Sequence, residues 1–279
     1  MTALRLPLSR SGAYGPDLAL RGAVALYVTL LVVLPLATLV KVGFGGGLGA
    51  ALAAITSPVA QSALVLTLWT SLLVAVVGGV MGVVVAWVLV RYRFPGRGLL
   101  SAFVDLPLAI PTLVAGMALV ALLGPQTALG AAFEAAGFKI AFAEPAIVLA
   151  LAFVSLPFTV RAVEPVLMEL DPAEEEAAST LGASGLLTFR RVILPPLLPA
   201  IGSGAAQAFS RALAEFGSIV VVAGNIPNKT LTAPVYVYGE IESGNPETAA
   251  AVAMVLLGVA LVSTLSAQGL ERLAAVSRG

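Results

Sequence analysis

Asp105, Arg161, Arg211 and Glu215 each sit inside a long apolar run, so they are the residues whose chemistry must be explained first. Ionisable groups in an apolar medium are costly and normally face one another, a bundle interior or water. The chemistry open to them is electrostatic. Asp105 and Arg161 fall roughly 9 and 10 Å inside the same membrane face by the helical rise, and we read them as a structural ion pair rather than as contacts for a passing ion. Arg211 and Glu215 are spaced to share one helix face in the half of the membrane remote from that face. They either brace that helix against a neighbour or form a gate or anion contact. A guanidinium suits a tetrahedral oxyanion, but a paired one offers it no net charge.

Other chemistries are excluded by what the chain lacks. In 279 residues there is no histidine and no cysteine, which removes disulfides, thiolate or imidazole metal sites, and any nucleophile that needs a Cys or a His base. An acid- or serine-based site needs a clustered constellation, and none is found. The net charge is zero, with 15 basic and 15 acidic residues, which argues against a nucleic-acid binder. A phosphate-wrapping Gly-x-x-x-x-Gly-Lys-Ser/Thr loop is missing. The nearest string, Gly224 to Thr230, lacks the second glycine. We expect no catalytic residue, no metal and no cofactor.

The elements that position these residues are membrane spans. With 59% hydrophobic and 11% charged residues, the chain is far from the roughly 25% charged composition of soluble domains. Six runs approach the length of about 20 residues that crosses a hydrocarbon core: Leu20–Val42, Ala63–Val90, Leu99–Gly124, Ile147–Met168, Leu197–Ala223 and Ala249–Leu270. The expected fold is therefore all-α and polytopic, with residues 1–19 as a polar tail, 20–270 as the spanning domain and 271–279 as a second tail. The polar start precedes any apolar run and no small-residue cleavage site follows a short apolar stretch, so no cleaved signal peptide is expected. Arg5, Arg10, Arg21, Arg91, Arg93, Arg97, Arg190, Arg191, Arg272 and Arg278 fall on one face, against Lys41, Lys139 and Lys229 on the other. Basic residues accumulate on the cytoplasmic side, which places both termini there. The Gly43–Gly49 segment and the loops Pro125–Glu144 and Gly224–Glu247 then face outward. Pro107 and Pro111 interrupt the third span, which must be shielded by protein. Gly78 and Gly82 have the small-xxx-small spacing of a close helix contact.

The long polar connection from Glu169 to Arg191 reads as two short helices. Asp171 can cap, Pro172 suits the first helical position, and Glu174, Glu175 and Glu176 place negative charge where the helix dipole favours it. Gly182 allows a turn, Ser184 can start a second helix, Arg190 and Arg191 suit its C-terminal end, and Pro195-Pro196 is expected to stop it. The acidic first turn argues against a DNA-binding helix-turn-helix.

Glu176-Ala177-Ala178, Gly182 and Val192-Ile193-Leu194-Pro195 resemble the EAA loop of binding-protein-dependent ABC importer permeases. The resemblance implies a type I ABC importer permease fold whose coupling helices, about 171–195, dock on a cytoplasmic ATPase. Glu176, Ala177, Ala178, Gly182, Val192, Leu194 and Pro195 would be the ATPase-coupling positions. Val192 departs from the family's usual isoleucine. Ser210 to Gly217 is similar to the ARALGEFG segment of sulfate/thiosulfate and molybdate permeases, with Ala214 in place of a glycine, and Gly224-Asn225-Ile226-Pro227 with Lys229-Thr230 continues the likeness. Trp87 to Arg97, Asp105-Leu106-Pro107 and Ile110-Pro111-Thr112 resemble the sulfate-type permeases in particular.

The resemblance implies a transport subunit of an ATP-driven importer for sulfate or thiosulfate in a bacterial inner membrane. Its partners would be two copies of an ABC ATPase, a second homologous permease, an extracytoplasmic sulfate-binding protein and the lipid bilayer, with no nucleic acid. Arg211, Glu215, Asn225, Asp105 and Arg161 are the candidate pathway or gate. Molybdate or tungstate is the alternative substrate. An ion-driven secondary transporter would call for more intramembrane carboxylates than Asp105 provides.

Overall fold

The computed structural model describes residues 14–276, with side chains described over 18–269. Arg5, Arg10, Arg272 and Arg278, counted above toward the basic face, lie outside the described side chains. Every regular element among the described residues is helical. In hydrocarbon, amides and carbonyls must pair within their own segment, and the helix does this.

Helix α1 (Tyr14–Val28) passes through a π turn (Thr29–Val33) into α2 (Leu34–Gly43). A turn leads to α3 (Gly47–Thr56) and then α4 (Pro58–Arg91). Next come α5 (Arg97–Ala109), α6 (Thr112–Leu123), α7 (Ala128–Ala135) and α8 (Glu144–Glu169). Helix α9 (Pro172–Thr180) leads to α10 (Gly185–Thr188), which runs through a second π turn (Phe189–Ile193) into α11 (Leu194–Leu213). Helices α12 (Gly217–Val222), α13 (Ala233–Glu242) and α14 (Pro246–Val276) complete the chain.

Among the described residues, five continuous helices are long and apolar enough to cross a membrane, and the pair α5 and α6, bent by 114°, makes a sixth span if counted as one. These coincide with the six expected segments, with shifted boundaries. Helix α4 starts at Pro58 rather than Ala63 because the Ser57 hydroxyl accepts from the Ala60 N–H (3.4 Å) and Pro58 needs no donor. The first helix already begins at Tyr14 and α14 continues to Val276, so neither lies within the tail limits drawn at residues 19 and 271. The expected outward segments are also partly helical: α3 follows the Gly43–Gly46 turn, α7 lies in the loop before α8, and α13 lies in the loop before α14.

Three expectations are corrected. The third span is interrupted as expected, but only at Ile110-Pro111, since α5 continues through Pro107 to Ala109. Ile110 and Pro111 are extended (ψ 132° and 130°), because a residue before proline is driven out of the α region. The fifth span ends at Leu213 and resumes as the short α12. Pro195-Pro196 does not stop the second hairpin helix, which continues unbroken from Gly185 to Leu213. There the Leu194 N–H bonds to the Phe189 carbonyl in a widened turn, and the two prolines that follow have no N–H to place. The same device precedes Pro35, where the Leu34 N–H bonds to the Thr29 carbonyl. A π turn relieves the crowding that a proline ring imposes on the preceding turn.

The bent pair still carries the chain from one end of the bundle to the other. Arg91, at the end of α4, is ion-paired with Glu175 of α9, so those ends lie together. Helix α8, which leads into α9, starts at the opposite end. The connection through α5, α6 and α7 must therefore traverse the bundle.

The bundle's centre is the crossing of α4, α8 and α11 at Thr159. A Cβ on Gly82 would lie 2.6 Å from the Thr159 Cβ, and one on Gly204 would lie 2.7 Å from its Cα. Both separations are impossible for real side chains, so only glycine fits. Gly78, expected to pair with Gly82, has open space around it. Helix α8 crosses at Gly82, and the neighbouring Gly79 faces Ala205 and Ile201 instead. A lower core knits α4, α5, α8 and α11 through Leu89, Val104, Val163, Leu167, Ile193 and Leu197. An upper one joins α4, α8, α12 and α13 through Val74, Ile147, Leu151, Ile219 and Val235.

Gly204→Val should lower unfolding stability in detergent by about 1–3 kcal/mol, the usual scale of overpacking, and Gly78→Ala should leave it within about 0.5 kcal/mol. Thermal unfolding of the purified variants checks the contrast.

Candidate functional site

The hairpin follows from local capping. Asp171 Oδ1 accepts from the Ala173 N–H (2.9 Å), Pro172 occupies the first turn of α9, and Glu174 and Glu175 carry the charge there. Glu176 lies one residue beyond that turn. Helix α9 ends in a paired C-terminal motif: the Gly182 N–H donates to the Ser179 carbonyl and the Ala183 N–H to the Ala178 carbonyl, both at 3.0 Å. This motif requires a left-handed residue, and Gly182 has φ +82°. Ser184 Oγ accepts from the Leu187 N–H (3.4 Å) to start α10.

The proposed coupling positions divide by exposure. Glu176, Ala177 and Gly182 are exposed and Ala178 is half-buried, all on the projecting limb. Val192 and Leu194 are half-buried and Pro195 is exposed, flanking Ile193, which is buried in the lower core. The first half of the motif is presented to the surroundings and the second half is anchored. Two residues missed from the sequence stand out at the tip: Leu181 is 89% exposed and Leu186 is 70% exposed. Their signal was apolar side chains flanking the turn glycine of a polar segment.

The intramembrane charges form two separate groups. Arg161 on α8 grips Asp105 on α5 bidentately through one edge of its guanidinium, Nε to Oδ1 at 2.7 Å and Nη2 to Oδ2 at 2.6 Å. Its Nη2 also donates to the Ser101 hydroxyl (2.9 Å) and carbonyl (3.1 Å), and its Nη1 pairs with Glu164. The expected pair is formed, and Glu164, missed from the sequence although it lies three residues after Arg161, is a further partner. With two carboxylates on one guanidinium, the group carries net negative charge and ties α5 to α8. It offers little to an anion.

Arg211 and Glu215 are also paired, Nη1 to Oε2 at 2.7 Å, but not as two residues on one continuous helix. Helix α11 ends at Leu213, and Ala214, at φ −91° and ψ 4°, begins the break. This conformation suits alanine without strain, so the break forms without the family's glycine. Glu215 turns inward, its side chain 1% exposed against 29% for Arg211. Its Oε1 accepts from the Ser218 N–H and hydroxyl, both at 2.8 Å. One buried carboxylate thus joins the end of α11 to the start of α12.

The limb α12 lies against α6 with their backbones in contact. A Cβ on Gly116 would sit 2.7 Å from the Ser218 carbonyl oxygen, and one on Gly217 would sit 3.1 Å from the Leu113 nitrogen. Gly116, Gly217 and Ser218 are therefore part of this site, and the contact that defines them is between residues far apart in sequence. Counting along α11, Glu215 lies in the half of the bundle remote from the hairpin. Asn225 follows α12 at φ 53°, its Nδ2 donating to the Val220 carbonyl at 2.8 Å, so it closes α12 rather than joining the Arg211 pair. In the adjoining loop the N–H groups of Lys229, Thr230 and Leu231 all turn onto the Ile226 carbonyl, which agrees with rejecting it as a phosphate cradle.

Removing Arg211 strands a buried carboxylate. Arg211→Ala should therefore cost about 3 kcal/mol of stability, while Arg211→Ala/Glu215→Ala should recover part of that loss. Denaturation of the two variants in detergent checks the sign.

Comparison with known proteins bears on what such a bundle does. The family described as "Binding-protein-dependent transport system inner membrane component" matches residues 78–274. A chain of Chlorokybus atmophyticus named a probable sulfate transport system permease protein is 49% identical over 204 residues, covering 73% of this chain and 71% of that one. The sulfate transport system permease protein CysT of Synechocystis is 45% identical over 86% of this chain and 84% of its own. The CysT protein of Salmonella typhimurium is 39% identical over 90% of each. Among solved structures, a chain of a bacterial alginate ABC transporter superposes with a TM-score of 0.75 at 19% identity, covering 92% of this chain and 94% of that one. A chain of the MetNI methionine ABC transporter superposes with a TM-score of 0.56 at 21% identity, covering 78% and 99%. The fold is that of an ABC importer permease, and the chain belongs to the inner membrane components of binding-protein-dependent transport systems.

Proposed function

We propose that this chain is the membrane subunit of an ATP-driven importer for sulfate, with thiosulfate as a second substrate. The observation that carries the reading is the 39–49% identity to sulfate permeases over most of the chain. The presented hairpin supplies the physical link to an ATPase. The partners are a pair of ATPase subunits, a second homologous permease and an extracytoplasmic sulfate-binding protein.

The hairpin end is cytoplasmic. Arg91, Arg93, Arg97, Arg190 and Arg191 gather there, whereas Lys41, Lys139 and Lys229 lie toward the other end. The exposed face of α9 around Glu176 and Ala177, with Leu181 and Leu186 at the tip, docks on the ATPase. When ATP closes the ATPase pair, the hairpin moves. Because α10 is continuous with α11, and α9 is tied to the end of α8 by only the two extended residues Leu170 and Asp171, that motion passes into two central helices. Arg211 and Glu215 then lie on the route between α11 and α12, where a shift of the break alters the outer half of the pathway. Asn225 closes the same limb. Arg161 and Asp105 keep α5 attached to α8 throughout.

Radiolabelled sulfate uptake tests the reading in a strain without its own sulfate permease, carrying this chain and its partners, with excess molybdate as competitor. Sulfate entry that molybdate weakly inhibits is the expected result. Molybdate accumulation without sulfate entry overturns the substrate. Gly182→Trp forces a side chain into a left-handed backbone position and should reduce uptake about tenfold at normal abundance, through strain of the order of 1–2 kcal/mol in the docking turn. Unchanged uptake by this variant would refute the coupling role.

A further inference from the structure

Beyond its covalent connections, the hairpin has a third attachment, at the end of α4. The last two turns of α4 present Trp87 and Arg91 on one face. Arg91 pairs with Glu175 in α9, its guanidinium carbon lies 5.3 Å from the centre of the Trp87 ring, and that ring meets Phe189 edge-on at 5.7 Å. Phe189 begins the π turn that joins α10 to α11. The corner of α4 therefore touches both limbs of the hairpin, one through charge and one through an aromatic edge.

This is not an ordinary surface ion pair. Both side chains are largely withdrawn from water, at 22% and 27% exposure, where Coulomb attraction is stronger and salt screening weaker. The buried Arg91 Nε has no hydrogen-bond partner among the described residues. Glu175 and the Trp87 face are what hold the guanidinium. The remaining acidic residues of the α9 start, Glu174 and Glu176, are exposed.

We infer that Arg91, Trp87, Glu175 and Phe189 form a strut that transmits movement of the hairpin to α4, making Arg91 and Glu175 positioning residues for energy coupling. Helices α8 and α11 receive hairpin motion through the chain itself, and α4 receives it through this contact. Without the strut, α9 can shift on the ATPase while α4 stays behind, so ATP is consumed with less transport. The inference rests on the functional reading above.

The test uses the complete transporter in proteoliposomes, measuring sulfate moved per ATP hydrolysed. Arg91→Ala and Glu175→Ala should each lower that ratio about fivefold, the scale of a partly buried pair. Arg91→Lys, which keeps charge but not the planar fork, should fall between. The double reversal Arg91→Glu/Glu175→Arg should recover about half of the wild-type ratio where each single reversal does not, as a coupled pair requires. A wild-type ratio in Arg91→Ala, or a double reversal no better than the singles, overturns the strut. A second measurement does not depend on the substrate. The chain has no cysteine, so spin labels can be placed at Val84→Cys on α4 and Ser179→Cys on α9. Their distance distribution should be narrow in the otherwise native sequence and broaden on adding Arg91→Ala; identical distributions overturn the strut. If the native transporter moves no sulfate, the functional reading fails and the distance measurement still decides the strut.

Discussion

Three helices cannot approach one another closely in lipid through the hydrophobic effect alone, since lipid tails are as apolar as leucine. What holds α4, α8 and α11 together is contact at Thr159, with Gly82 on one side and Gly204 on the other. Neither glycine tolerates a methyl group there, and the close approach it permits gains dispersion contacts along the length of each helix. The lower and upper cores build outward from this crossing. It also fixes the heights at which the two charged groups sit, because Asp105–Arg161 and Arg211–Glu215 hang from α8 and α11 on either side of it.

Helix continuity is then managed residue by residue. Where the hairpin joins the span, at Pro195-Pro196, a π turn keeps α10 and α11 as one rod. Where the chain changes direction, at Ile110-Pro111 and at Ala214–Phe216, the helix is broken outright; Pro111 at the first break is exposed, whereas Leu213 and Glu215 at the second are buried. Glu215 satisfies the Ser218 amide at its break, and the backbones of α6 and α12 shield each other through Gly116 and Gly217. Irregular backbone at membrane depth needs such cover or a water-filled cavity beside it, and the two broken spans lie side by side.

The hairpin shows how a short segment can be rigid without a large core. Caps at Asp171 and Ser184 and the glycine motif at Gly182 fix its shape, and Ile193 anchors its return limb. Its exposed leucines are apolar area left without cover in the isolated chain. The contacts from α4 to Glu175 and Phe189 set its angle against the bundle.

The sequence by itself determined the all-helical class, the positions of the six spans, the caps and turn of the hairpin, and the pairing of Asp105 with Arg161. These depend on signals carried by neighbours within a few residues: apolar length, proline and glycine placement, and a costly charge that needs an opposite one at the same depth. Tertiary structure alone decided that Gly82 rather than Gly78 lies at the crossing, that the fifth span breaks before Glu215, that two prolines leave a helix unbroken, and that Arg91 grips the hairpin. Each of these turns on which segment lies opposite. Proline restricts one turn but does not say whether a widened turn will absorb it, and a glycine records that space is short without naming the residue, over a hundred positions away in the case of Gly116 and Ser218, that takes the space.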